Sequence, residues 1–459
     1  MIGISNIIFL IVAALGIGLF VWQIRKIRKN IQMGRDLTLE DNPSERINKT
    51  LLVAFGQQKM FKRMLPAVLH LFVYVGFLVI NIEVLEIMID GIFGTHRILG
   101  IMGPFYDALM AINEILGALV IIACVMFLWR RNVTKVPRLA TGVEMRAWPK
   151  MDANVILVTE IVLMLALFAF NISDLKLAQL KGEELAGAFP ISSMFVDAFS
   201  SDAGTLATIA STGWWIHIIG ILAFMNYLPS SKHFHIIMAF PNVYFSKLAP
   251  KGKFTTNPAI THEIKAMLDP SYQPPAPEVD AEGNPIIQRF GAKDVEDLTW
   301  KQLMDSYTCT ECGRCTSVCP ANITGKLLSP RKIVMDTRDR MEEKGEHPAI
   351  FDPAQYGKDA GTERVKADTE ERTLLRGYIT PEELWACTTC NACVESCPVN
   401  IDQLSTIMDL RRYLVLEESA APASLNAMFT NIENNGAPWA FPASDRFNWA
   451  DELYLPSKN

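Results

Sequence analysis

CTECGRCTSVCP, from Cys309 to Pro320, and CTTCNACVESCP, from Cys387 to Pro398, place four cysteines and a proline at identical spacing twice in one chain. The pattern is C-x2-C-x2-C-x3-C-P, and the spacing has a physical cause. Three cysteines at two-residue gaps let a tight loop wrap one [4Fe-4S] cubane with its backbone N–H groups turned toward the sulfurs. The fourth cysteine, at the start of a helix, reaches the other cluster. The proline then ends the loop and cannot compete as a donor. The expected assignment is therefore crossed. A first cluster takes Cys309, Cys312, Cys315 and Cys397, and a second takes Cys387, Cys390, Cys393 and Cys319. Tetrahedral zinc uses cysteine pairs separated by a longer spacer, which sets zinc aside. Eight of the nine cysteines fall in these two groups, a usage that points to metal centres in a reducing compartment. Cys124 is left over and reads as a small apolar filler.

Around these loops, residues 298–420 read as a mostly α-helical dicluster domain of the kind found in bacterial ferredoxins, enlarged between its motifs by a long segment, 320–386. Within that segment RKIVMDTRDRMEEK looks helical with polar faces. Residues 249–297 carry Pro250, Pro258, Pro270, the run Pro274-Pro275-Ala276-Pro277 and Pro285, and read as a linker between membrane and redox domains. Residues 421–459 are expected to be a partner-docking extension. No GxGxxG after a strand, P-loop or Ser/His/Asp arrangement occurs, so the oxidation of a substrate is expected on another subunit. A net charge of -6 without a basic, aromatic-interleaved face argues against nucleic acid as a partner.

The first 248 residues differ in character. Five apolar segments, at about 3–23, 66–89, 104–129, 153–173 and 213–229, each approach the roughly 20 residues that span a hydrocarbon core, which predicts an all-α bundle of five transmembrane helices. The first is too long for a signal-peptide core and is followed by Arg25, Lys26, Arg28 and Lys29 without a small-residue cleavage site, so it reads as a retained helix. Loops after the first and third segments carry sixteen Lys and Arg residues against three in the other two. This asymmetry predicts a multi-pass protein of the cytoplasmic membrane with its N-terminus outside and its cysteine domain in the cytoplasm.

Polar side chains in such helices require a reason. His70 in the second segment and His235 just beyond the fifth lie at similar depth, and can be the two axial imidazoles of a haem b. His217 lies eighteen residues before His235, about 27 Å along a helix, and cannot serve the same haem. It is a candidate for a second. His233, two residues from His235, lies on another helix face, and His96 lies in an outer loop. Glu83, Glu86, Glu114 and Glu160 are expected to face the bundle interior, as quinone or proton contacts or as interhelical hydrogen-bonding groups.

These residues resemble a known family. The membrane half is similar to the nitrate reductase gamma-subunit type of cytochrome b, with WWIHIIGILAFMNYLPSSKHFH, Trp214 to His235, resembling its fifth helix and His70 its inner-haem ligand. Ten residues after His70, where the family carries a further ligand, this chain has Ile80. That leaves one haem, or a second one differently ligated at His217. Fusion to a dicluster module resembles the heterodisulfide reductase-related membrane proteins, including the electron-transfer-flavoprotein:menaquinone oxidoreductases. The resemblance implies a respiratory electron-transport subunit of a quinone oxidoreductase complex in the bacterial inner membrane. Two [4Fe-4S] clusters and haem b would link a cytoplasmic donor to menaquinone, or menaquinol to a heterodisulfide or sulfur-compound reductase. A redox-sensing anchor is the remaining alternative. No CCG region follows the clusters, so the resemblance implies a separate CCG-type subunit or electron-transfer flavoprotein as partner.

Overall fold

In a hydrocarbon environment every backbone N–H and C=O must be satisfied within its own segment, so long apolar runs fold as helices. The computed structural model describes residues 3–39, 41–145, 148–250, 252–276, 279, 283, 289–345 and 372–451, and among them every element is helical. Five helices are long and apolar enough to cross a membrane. They are α1 (Ile4–Ile31), α2 (Met64–Phe93), α3 (Pro104–Asn132), α4 (Trp148–Lys181) and α5 (Ala203–Tyr227). Their ends follow local chemistry. Gly94, with φ 69°, closes α2 in the left-handed conformation that glycine adopts readily. Pro104 opens α3 at its first turn, and the Asp202 side chain accepts the Thr205 N–H at the start of α5.

The helices meet through small and apolar side chains. Phe9, Ile80, Val84, Val120, Cys124, Leu163, Met164 and Ile218 form a common buried core. At Gly213 of α5 an added Cβ would lie 2.8 Å from the Ala166 carbonyl oxygen of α4, so the two backbones approach more closely than a larger residue allows. The eighteen residues from His217 to His235 are not one helix. A short 3-10 turn, Leu228–Ser230, carries Pro229, Ser231 is extended, and a separate helix α6 (His235–Tyr244) begins at His235. The 27 Å expected for a continuous helix therefore does not apply, because the missing proline N–H breaks the ladder.

One compact unit combines residues 1–254 with 294–407. Within it α7 (Trp300–Thr308) opens on a Thr299/Gln302 capping box, and Asn30 at the end of α1 donates to the Tyr307 hydroxyl at 2.9 Å. The RKIVMDTRDRMEEK stretch is helical, as α8 (Pro330–Lys344), but most of its polar residues, among them Arg331, Lys332, Asp336, Thr337, Arg340 and Glu342, are buried. Lys332 pairs with Asp336 at 2.7 Å and Glu383 at 2.9 Å, and Arg340 with Asp294 at 2.7 Å. Burial of such groups is tolerated because each charge is met. The rest of the inter-motif segment, 346–371, lies outside the described residues.

The second unit comprises 255–293 and 408–459. It contains a helix, Pro258–Leu268, inside the stretch expected as an irregular linker, capped by Asn257 and with Pro258 at its first turn. Gly291 lies so close to Tyr413 that a Cβ would sit 2.1 Å from the Tyr413 nitrogen, and Ala292 N–H donates to the Asp409 carbonyl at 2.9 Å. A further helix, Ala423–Asn435, precedes a stretch with exposed Trp439, Phe441, Phe447 and Trp449.

Candidate electron-transfer site

The two cysteine loops repeat one backbone path. Glu311 and Thr389, each directly before the second cysteine of its motif, have φ of 52° and 56°, and Gly313 and Asn391 have 68° and 60°. These left-handed steps turn amides inward. The Glu311 N–H donates to Cys309 Sγ and the Thr389 N–H to Cys387 Sγ, each at 3.4 Å. At Gly313 an added Cβ would lie 2.5 Å from the Arg138 carbonyl oxygen, so both the φ and the close approach require glycine.

The fourth cysteine of each motif lies near the other motif's cysteines. Cys397 packs with Cys309, and Cys315 lies within electrostatic reach of Cys312, Cys309 and Cys397 ahead of Cys393. Cys393 is likewise influenced by Cys387 and Cys319. Among the described residues no three potential ligands converge at single-ion distance. Each motif supplies four thiols, the number that one cubane takes. Burial pushes the Cys309 thiol up to about 12 and Cys397 up to about 11, so these ligands need the positive charge of bound iron to ionise. The loops differ in access. In the first loop Cys309, Cys315 and Cys319 are buried and Cys312 half-buried, whereas in the second Cys393 and Cys397 are buried, Cys387 is half-buried and Cys390 exposed.

Both loops sit against the end of the bundle where α2 begins. Arg314 donates to the Lys59 carbonyl at 3.0 Å, Arg63 to Ser317 Oγ at 2.8 Å, and Arg138 to the Cys312 carbonyl. Lys62 pairs with Glu395 of the second loop. Lys232 Nζ meets Glu311 at 2.7 Å and Arg338 meets its other oxygen at 2.8 Å. Burial opposes charge on Glu311, but Lys232 and Arg338 outweigh it and hold the carboxyl down at about 2.

At this same end the His70 and His235 rings lie 6.4 Å apart between centroids. Two imidazoles on opposite faces of one iron, each bound at about 2.0 Å, place their centroids roughly 6–6.5 Å apart, so the spacing fits axial ligation. His70 Nδ1 bonds to Gln57 Oε1 and His235 Nδ1 to the Lys232 carbonyl, each at 3.0 Å. These partners leave Nε2 of each ring to bind iron, the arrangement that orients metal-binding histidines. Burial lowers the His235 pKa and favours the neutral imidazole that ligation needs. His233 packs edge-on against His235 at 5.4 Å and is not the opposing ring. His217, deep in α5, donates Nδ1–H to the Leu163 carbonyl at 2.9 Å, and its buried Nε2 has no partner. Ile80 is buried in the bundle core and offers no second ligand.

The carboxylates separate into different roles. Glu114 accepts the N–H groups of Ile191 and Ser192 at 2.8 and 2.9 Å and thereby fixes a loop, while Glu160 is only half-buried. Glu83 and Glu86 line a cavity of about 420 Å³ at the opposite end of the bundle, with Arg97, Phe9, Trp214 and Trp215. Glu86 accepts from Tyr106 at 2.8 Å, and one oxygen of Glu83 is buried without a partner. Sequence reasoning missed Gln57, Lys232 and Glu311. Of these only Glu311 carried a signal, as a charge in one loop where the matched loop has threonine.

Fold and site together define the class: a protein of five membrane-length helices carrying a two-cluster iron-sulfur module. Residues 308–401 match the 4Fe-4S dicluster domain. The chain is 31% identical over 465 residues to the Probable iron-sulfur-binding oxidoreductase FadF of Bacillus subtilis, covering 98% of this chain and 61% of that protein. It is 27% identical to the EtfAB:quinone oxidoreductase of Syntrophomonas wolfei over 90% of this chain and 55% of the relative. A shorter match, 28% identical, covers 34% of this chain and 35% of a Dihydromethanophenazine:CoB--CoM heterodisulfide reductase component from Methanosarcina mazei. The chain thus spans little more than half the length of the curated relatives it matches most fully. These matches show the expected kinship with iron-sulfur membrane oxidoreductases. No solved structure matches.

Proposed function

We propose that the chain is the membrane electron-transfer subunit of a quinone oxidoreductase complex, passing electrons from a cytoplasmic donor by two [4Fe-4S] clusters and one haem b to menaquinone. The observation that carries this reading is the His70/His235 pair, spaced for an iron and placed at the bundle end that also holds the cysteine loops. Bound there, the clusters and haem supply one-electron carriers between a two-electron donor and a two-electron acceptor. The residues do the remaining work. Cys390 and Cys387 present the second loop to a docking partner, an electron-transfer flavoprotein or a CCG-type subunit. With Cys309, Cys315 and Cys397 buried and Cys312 half-buried, the first loop is the more shielded of the two and lies beside Lys232. The basic loops at this end favour a cytoplasmic position for it.

At the opposite end, Trp214, Trp215 and Phe9 offer flat faces for a naphthoquinone ring, and the unpartnered Glu83 oxygen is the group that hands it a proton. The likeness to heterodisulfide reductase components favours, as a second reading, the same residues used in the menaquinol-oxidising direction. Mixing the dithionite-reduced chain with a soluble menaquinone analogue should bleach the reduced haem band within the mixing time of a stopped-flow instrument. A band that persists under excess quinone rules out the proposed direction.

A further inference from the structure

The two cysteine loops share spacing, backbone path and an N–H to sulfur bond, but differ in the residue that precedes their second cysteine. Where the second has half-buried Thr389, the first has Glu311, a carboxylate only 4% exposed, on the same left-handed step of the backbone. Glu311 Oε2 accepts from Lys232 Nζ at 2.7 Å and Oε1 from Arg338 at 2.8 Å. Lys232 is buried too. Its Nζ also donates to the Pro149 carbonyl, its backbone N–H donates to Asp152 Oδ2 at 3.1 Å, and Asp152 lies 3.9 Å from the ammonium.

The Lys232 carbonyl accepts from His235 Nδ1 at 3.0 Å. An unbroken chain of contacts therefore runs from Cys309 Sγ through the Glu311 amide and carboxylate to Lys232 and on to His235. Desolvating a lysine and a glutamate together is weakly stabilising at best, and a hydrophobic pair of equal volume would often serve stability better. A buried ion pair at this place is better suited to fixing geometry and local potential than to holding the fold.

We propose that Lys232 and Glu311 are a positioning pair that locks the first cysteine loop against the His235 end of the bundle and sets the reduction potential of that loop's centre apart from the second. The inference rests on the reading of the cysteine loops as cluster sites. Removing the Glu311 charge leaves more positive charge beside the first loop and favours its reduced state, whereas removing the Lys232 charge disfavours it.

The test is an EPR-monitored redox titration of the purified full chain and of its E311Q and K232M variants, with iron and haem quantified. E311Q should raise, and K232M lower, the midpoint of the first-loop centre, each by about tenfold in the reduction equilibrium, 59 mV for a one-electron couple. The second-loop centre should stay within threefold of wild type. Shifts of the same sign in both variants, or none at full iron content, overturn the proposal. E311D and K232R keep the charges and guard against misfolding. They should titrate within threefold of wild type, and a tenfold shift in either would overturn it as well. A preparation with full iron but no haem would end the proposed route to quinone and leave the cluster titration to decide the role of the pair.

Discussion

Replacing Cys397 by alanine should remove the centre of the first loop, not the second, although Cys397 belongs to the second motif. Cys397 packs with Cys309 and lies close to Cys315, whereas Cys319 belongs with Cys393 and Cys387. Iron in Cys397→Ala should fall from about eight to about four atoms per chain. The surviving EPR signal should match the one lost in Cys319→Ala. If Cys397→Ala and Cys387→Ala lose the same signal, ligation is not crossed and each motif holds its own cluster. The size of the effect follows from burial. The Cys309 and Cys397 thiols are pushed well above the ordinary cysteine range, so a site missing one ligand cannot ionise the others cheaply.

Replacing His70 or His235 by alanine should bring bound haem from about one per chain to below about a tenth, while cluster iron stays near eight. His217→Ala should leave the haem in place, because Ile80 provides no opposing ligand for that ring. Gln57→Ala, which removes the 3.0 Å partner of His70 Nδ1, should weaken haem retention by about 10–100-fold without abolishing it. Reduced-minus-oxidised spectra with pyridine haemochrome quantification separate these outcomes. Haem lost from His217→Ala but kept in His70→Ala would place it at the wrong histidines.

The cysteine loops and the five helices were readable from sequence because each is set by spacing along a continuous segment: gaps of two and three residues in one case, about twenty apolar residues in the other. The His70/His235 pairing was readable by depth, but by partly mistaken geometry, since Pro229 and extended Ser231 break the helix that the depth argument assumed. The polar faces of α8 were readable, but not that they are buried, because Arg331, Lys332, Asp336 and Arg340 are individually typical of surfaces. Their partners, Glu144, Glu383 and Asp294, are far away in the chain, so only tertiary structure shows them paired. The pairing of Lys232 with Glu311 was hidden for the same reason, the two being 79 residues apart.

The unequal shielding of the two loops has a consequence for life in air. Dissolved oxygen and peroxide reach exposed Cys390 long before they reach Cys309, Cys315 or Cys397. Damage should therefore begin at the donor-facing loop and advance inward. Chain handled aerobically should lose the second EPR signal first, and a preparation that has stopped accepting electrons should still show the first, making partial inactivation a matter of a severed entrance and an intact interior.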